Sequence, residues 1–174
     1  MAPLTSPQRL LRPTADHKFL EAVPETLAEL EALTRPIAVL AIAGDQRTGK
    51  SFLVNNMHSR TCTDGFVVGH LLDAQTTGVW IRLRKHPRNP DMDVLIVDTE
   101  GLDTPHVPAG YNWLLSACTV LLADVLIYQS KGSIDAHQTE RLDSILAIAS
   151  RIKGLDGGTG GTAPSSAPSR LFMW

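Results

Sequence analysis

The sequence predicts an α/β fold: a mostly parallel sheet with helices packed on its faces. Three observations lead there. Two apolar runs, Pro36-Ile-Ala-Val-Leu-Ala-Ile-Ala43 and Asp93-Val-Leu-Ile-Val97, lack polar alternation and suit strands buried on both faces, as parallel sheets require. Helical patterns separate the strand patterns, the order expected of βαβ units. The chain has 174 residues, enough for one domain with a proper core.

Taken in order, residues 1–16 contain Pro, Thr and Arg without periodicity and are expected to form a loose N-terminal arm. A short extended piece is expected around Lys18–Val23. Pro24 then suits a first helical turn, and Leu27, Leu30 and Leu33 continue as an amphipathic helix over about 24–34. The first buried strand ends at Gly44, and Lys50–Met57 reads as the helix after it. Residues 58–78 are polar and expected to be loop. Val79–Lys85 alternates apolar residues with Trp and Arg, the pattern of an outer strand with one wetter face. After the second buried strand, residues 111–121 read as helix and Val125–Tyr128 as strand. Residues 136–153 read as a helix with Leu142, Ile145, Leu146, Ala149 and Ile152 on one stripe. Residues 154–169 are rich in Gly, Thr, Pro and Ser and read as a flexible segment. Residues 170–174 end on large apolar side chains and read as a strand cut short. The folded domain is therefore expected over residues 17–153.

Composition narrows the function classes. A formal net charge of -2 and a pI of about 6.3 give no reason to expect a nucleic-acid partner. The run Arg82, Arg84 and Lys85 is expected to be a solvated strand face. Two cysteines, Cys62 and Cys118, are too few for a disulfide framework, so a reducing, cytoplasmic setting is expected. The six histidines include no pair flanking a helical carboxylate, which argues against a metalloprotease-type zinc site. No signal peptide or membrane-spanning stretch is apparent.

One motif decides the class. Gly44-Asp-Gln-Arg-Thr-Gly49-Lys50-Ser51 matches G-x-x-x-x-G-K-[ST] at every fixed position. At average usage this match arises by chance in roughly one chain in a hundred of this length, and here a buried strand leads in and a helix leads out. The glycines let successive backbone N–H groups turn toward phosphate oxygens, and the helix N-terminus adds partial positive charge. The expected phosphate-binding set is Gly44, Asp45, Gln46, Arg47, Thr48, Gly49, Lys50, Ser51 and Phe52. Lys50 can reach the β- and γ-phosphates, and the Ser51 hydroxyl can ligate Mg²⁺. The fold class sharpens to a three-layer P-loop NTPase, incomplete at its C-terminus. Asp98-Thr-Glu-Gly101 stands at the end of the second buried strand, where α/β sheets place ligand-binding groups. Asp98 can hold Mg²⁺ through a water, and the Gly101 N–H can sense the γ-phosphate. In the polar loop between them, Thr76 and Thr77 are both candidates for a switch threonine.

The sequence resembles the guanylate-binding protein and atlastin group of large, dynamin-related GTPases over about Pro36–Lys153. The carriers are the P-loop above, Thr76-Thr-Gly-Val-Trp80, Leu95-Ile-Val-Asp-Thr-Glu-Gly-Leu102 and Ile127-Tyr-Gln-Ser-Lys-Gly-Ser-Ile134. The resemblance implies a GTPase using Mg²⁺, with GTP and GDP as ligands and a possible nucleotide-dependent homodimer. It implies that Arg47 is an arginine finger supplied in cis, that Thr76 is the switch threonine binding Mg²⁺, and that Asp98 is the magnesium-linked aspartate. It also implies that Glu100 helps order the attacking water, completing a catalytic set of Arg47, Lys50, Thr76 and Glu100. The Arg-Asp pair by which the family selects guanine is not found in this chain, so preference for GTP over ATP follows from the resemblance alone. Two alternatives stand beside the enzyme: a nucleotide-binding or dimerising module with little turnover, and a truncated chain without function.

Overall fold

In the computed structural model, the described residues are 4–58, 66, 77–101, 107–130, 132, 136, 139–140, 142–144, 146–147 and 170–173. The elements are β1 (Gln8–Pro13), β2 (Leu20–Ala22), α1 (Pro24–Glu31), β3 (Ile37–Gly44), α2 (Lys50–His58), β4 (Val79–Lys85), β5 (Asp93–Thr99), α3 (Ala109–Leu122), β6 (Val125–Gln129) and β7 (Arg170–Met173). They build one sheet in the order β2-β1-β4-β5-β3-β6-β7. The parallel part is β5-β3-β6-β7, and β4, β1 and β2 extend it as an antiparallel flank. The α/β architecture expected from the sequence is present.

The period-two alternation of strands divides the core into two layers. Ala41, Ala43, Leu95, Val97, Leu126 and Tyr128 point to one face, where Tyr111, Leu115 and Val120 of α3 cover them, with Leu142 in the same cluster. Ile42, Val94, Ile96 and Ile127 point to the other, where Val54 of α2 and Phe66 pack. Each buried Val, Leu or Ile among them contributes roughly 1.5–3 kcal/mol. The two apolar runs are thus apolar because helices and loops cover both their sides. Asn55 secures the second layer, donating to the Phe66 carbonyl at 2.8 Å and accepting the Phe66 N–H at 2.8 Å.

Three expectations need correction. The N-terminal arm is not loose in its described part: β1 lies between β2 and β4, and Leu4 and Leu10 are buried. Without β1 the β4 edge would present unpaired backbone groups. The Glu29 carboxylate of α1 also accepts from Leu4 N at 3.2 Å and Gln8 Nε2 at 2.9 Å. The same segment overturns the solvated reading of Arg82, which is only 5% exposed and donates from Nε to the Thr5 carbonyl at 2.9 Å. β4 is accordingly an interior strand rather than an outer one.

The helix expected over 136–153 is observed at those of its residues that are described, with Leu142 buried and Glu140, Asp143 and Ser144 exposed. Thr76, Cys62 and the 154–169 segment lie outside the described residues. The strand expected at the end of the chain is β7, parallel to β6.

Candidate phosphate and magnesium site

The C-terminal ends of β3, β5 and β6 converge on the loop between β3 and α2. Gly44 opens that loop at φ 136°, where a Cβ would fall 1.8 Å from the Gln129 carbonyl oxygen. Only glycine allows this approach of the loop to β6. Gly49 closes the loop at φ 86°, and Arg47 between them takes φ 59° without being glycine. A side-chain-bearing residue held left-handed carries local strain, which persists only where its surroundings enforce it.

Lys50 begins α2 and is 7% exposed. Its ammonium donates to the Gly44 and Asp45 carbonyls at 3.2 and 2.8 Å, so the charge sits inside the loop. Burial pulls its pKa below the usual lysine value, and the Asp98, Asp45 and Glu100 carboxylates oppose that pull. One turn of helix starts on Lys50 and Ser51, and the Ser51 hydroxyl donates to Asp98 Oδ2 at 2.6 Å across 47 positions of sequence. Asp98 is fully buried, and its other oxygen, Oδ1, has no hydrogen-bond partner. Burial pushes the Asp98 carboxyl up to about 6, against the Ser51 hydroxyl and the Lys50 charge.

A hydroxyl and a carboxylate in contact, with one buried carboxylate oxygen unmatched, form an oxygen donor set of the kind a small hard cation prefers. Among the described residues no group of three or more His, Cys, Asp or Glu side chains could cage a metal alone. A cation here would share its coordination with a ligand's oxygens and water, as Mg²⁺ does in phosphate sites.

The structure brings together Gly44, Lys50, Ser51, Asp98 and Gly101. A Cβ on Gly101 would lie 2.5 Å from Gln46 Cα, so the end of β5 passes directly against the loop. Arg47 is exposed at the rim, and the Phe52 side chain is 56% exposed, leaving its backbone as the relevant part. Glu100 is placed differently from the rest. It is 2% exposed, and its Oε2 accepts from the Gly78 N–H at 3.1 Å and the Tyr111 hydroxyl at 2.9 Å. Its own N–H donates to the Gly78 carbonyl at 3.0 Å. Glu100 thus ties the entry of β4 to the exit of β5.

Sequence reasoning missed Tyr111 and Gln129. Tyr111 is buried, and desolvation, then the Glu100 charge, holds its hydroxyl protonated well above the usual tyrosine range. Gln129 ends β6, is 8% exposed, and donates from its amide to the Thr48 carbonyl. Its place at a strand's C-terminal end is the signal that marks such residues.

A family model of the guanylate-binding protein N-terminal domain matches residues 16–168. Human guanylate-binding protein 3 is 34% identical over 158 residues, covering 88% of this chain and 26% of that protein. Human guanylate-binding protein 2 is 34% identical over 75% of this chain and 22% of its own length, and guanylate-binding protein 1 of Chlorocebus aethiops is 32% identical over 86% and 25%. The chain therefore spans about a quarter of the length of these relatives. With its loop, Asp98 and Gly101 set at the ends of a parallel sheet, it belongs to the family of guanylate-binding protein N-terminal domains.

Proposed function

We propose that this chain binds GTP with Mg²⁺ and hydrolyses its γ-phosphoanhydride. The observation that carries the reading is the Ser51–Asp98 contact at 2.6 Å directly beneath the Gly44–Gly49 loop, with Asp98 Oδ1 left unmatched in a buried site. The loop N–H groups and the N-terminus of α2 supply positive potential for the phosphates. Lys50, at present turned onto the loop carbonyls, has the reach to exchange them for phosphate oxygens. Ser51 and Asp98 would hold the cation, which neutralises charge on the β- and γ-phosphate oxygens when bound. Arg47, exposed on the loop itself, is the group that meets the charge developing in the transition state. Thr76, outside the described residues, is assigned to the cation from the family pattern. Guanine as the base is proposed from the relatives, which are named for guanylate binding.

A nucleotide-dependent pairing of two copies belongs to the same reading, and a shift to dimer mass with a non-hydrolysable GTP analogue tests it. Cytoplasmic residence belongs to the same reading, from the scarcity of cysteines, two in 174 residues. No helix among the described residues is long and apolar enough to cross a membrane.

A second reading, binding with little turnover, is favoured by one observation: Glu100 Oε2 is engaged by the Gly78 N–H and the Tyr111 hydroxyl. Phosphate release from GTP in Mg²⁺ separates the two. The enzyme reading expects multiple turnovers, with Arg47→Ala lowering kcat about 10³-fold or more while GDP affinity stays within a few-fold. Stoichiometric binding without release would leave only the second reading.

A further inference from the structure

We propose that Gln129 is the positioning residue for Arg47, holding the loop in the shape that aims the guanidinium at the phosphates. This rests on the reading of Arg47 as the group that stabilises the transition state. Gln129 grips the loop at both ends of the segment that contains Arg47. Its main-chain carbonyl accepts the Asp45 N–H at 3.2 Å, and its side-chain amide donates to the Thr48 carbonyl. The Thr48 hydroxyl then donates to the Asp45 carbonyl at 3.0 Å, closing the segment on itself.

Arg47 lies inside that closed segment with φ 59°, the left-handed conformation that a residue with a Cβ adopts only under constraint. The constraint visible here is β6. It pairs with β3 through Gly44 and Gln129, and it stands so close that no side chain fits at Gly44. The amide is not placed there for its own satisfaction, since Gln129 Oε1 is buried and lacks a hydrogen-bond partner. A buried acceptor left unmatched costs stability, and such a cost is characteristic of groups kept for function. A loop freed at Thr48 would still present N–H groups to phosphate. It would lose the fixed direction of Arg47, and misplacement of about 1 Å costs on the order of 10²-fold in rate.

The test is a double-mutant cycle in the full chain, reading kcat for GTP and the dissociation constant for GDP. Gln129→Leu is expected to lower kcat at least tenfold with GDP affinity changed less than about threefold. In an Arg47→Ala background the same substitution is expected to change kcat less than about twofold. Gln129→Glu keeps the side chain's size and removes the donor, so it should reproduce both results if the leucine variant fails to fold. Equal losses in the two backgrounds would overturn the proposal, because Gln129 would then act by another route. Full activity in both Gln129 variants would overturn it as well. Loss of kcat in Arg47→Ala with neutral Gln129 variants sinks this inference alone. Unchanged kcat in Arg47→Ala, or no turnover in the parent chain, sinks it together with the reading beneath it.

Discussion

Asp93 and Asp98 stand at opposite ends of the same strand, both buried, and their surroundings treat them in opposite ways. Asp93 is met by two cations: Lys85 Nζ reaches one oxygen at 3.0 Å and Arg35 Nε the other at 3.2 Å. It closes the end of the sheet farthest from the loop. Asp98 has a lysine nearby, yet that lysine bonds to carbonyls, and the carboxylate receives one hydroxyl and keeps one oxygen unmatched. A carboxyl raised from 3.8 to about 6 costs the folded chain roughly 3 kcal/mol at neutral pH. The contrast teaches that burial alone does not mark a functional acid. What marks it is a charge buried with no cation in direct contact, at the end of the strand where ligands bind.

The largest expected effect therefore falls on Asp98. Because its pKa is raised in the folded state, its stabilising contribution is present below pH 3.8 and is lost as the pH climbs through about 6. Asp98→Asn should stabilise the nucleotide-free chain at pH 7 by up to roughly 3 kcal/mol, remove the fall in its stability between about pH 4 and 6, and abolish the Mg²⁺ dependence of nucleotide binding. Urea denaturation at several pH values measures the first two. A destabilised variant would break the comparison.

Asp93→Asn should do the reverse, lowering stability by about 1–3 kcal/mol through two weakened charge-assisted bonds and leaving nucleotide affinity unchanged. Glu100 offers an intermediate case, a buried carboxylate satisfied by Gly78 N–H and the Tyr111 hydroxyl. Tyr111→Phe should cost about 1–2 kcal/mol in denaturant unfolding; a neutral result would mean that this hydroxyl does not hold the entry of β4. The smallest effect belongs to Lys85, whose side chain is 74% exposed. Solvent screens such a pair, so Lys85→Ala should cost less than about 1 kcal/mol. A larger loss would show that Arg35 alone cannot hold Asp93.

Much of the site was legible because its residues are close in sequence. Gly44 to Ser51 form one motif, and Asp98 follows an apolar run that could only be a covered strand. The same locality made β3, β5, α3 and β6 readable. What escaped depends on contacts between distant segments. Residues 8–13 carry Pro and polar groups and look unstructured until β4 supplies a pairing edge and α1 supplies Glu29. Arg82 looks solvated until the N-terminal segment covers it. The bond from Gln129 to Thr48 crosses 81 positions, and no local pattern announces it. Glu100 was legible as an acid near the loop, but its commitment to Gly78 and Tyr111 was not, because Tyr111 arrives on a separate helix.

The central claim is that the Asp98 end of the sheet is a nucleotide site and the Asp93 end is scaffold. The most direct test is a titration of the full chain with fluorescent GDP, GTP and ATP analogues in Mg²⁺, repeated with Lys50→Ala and Asp93→Asn. The account expects saturable binding of the guanine nucleotides that is lost in Lys50→Ala and kept in Asp93→Asn. No binding by the parent chain, or equal binding in Lys50→Ala, would contradict it.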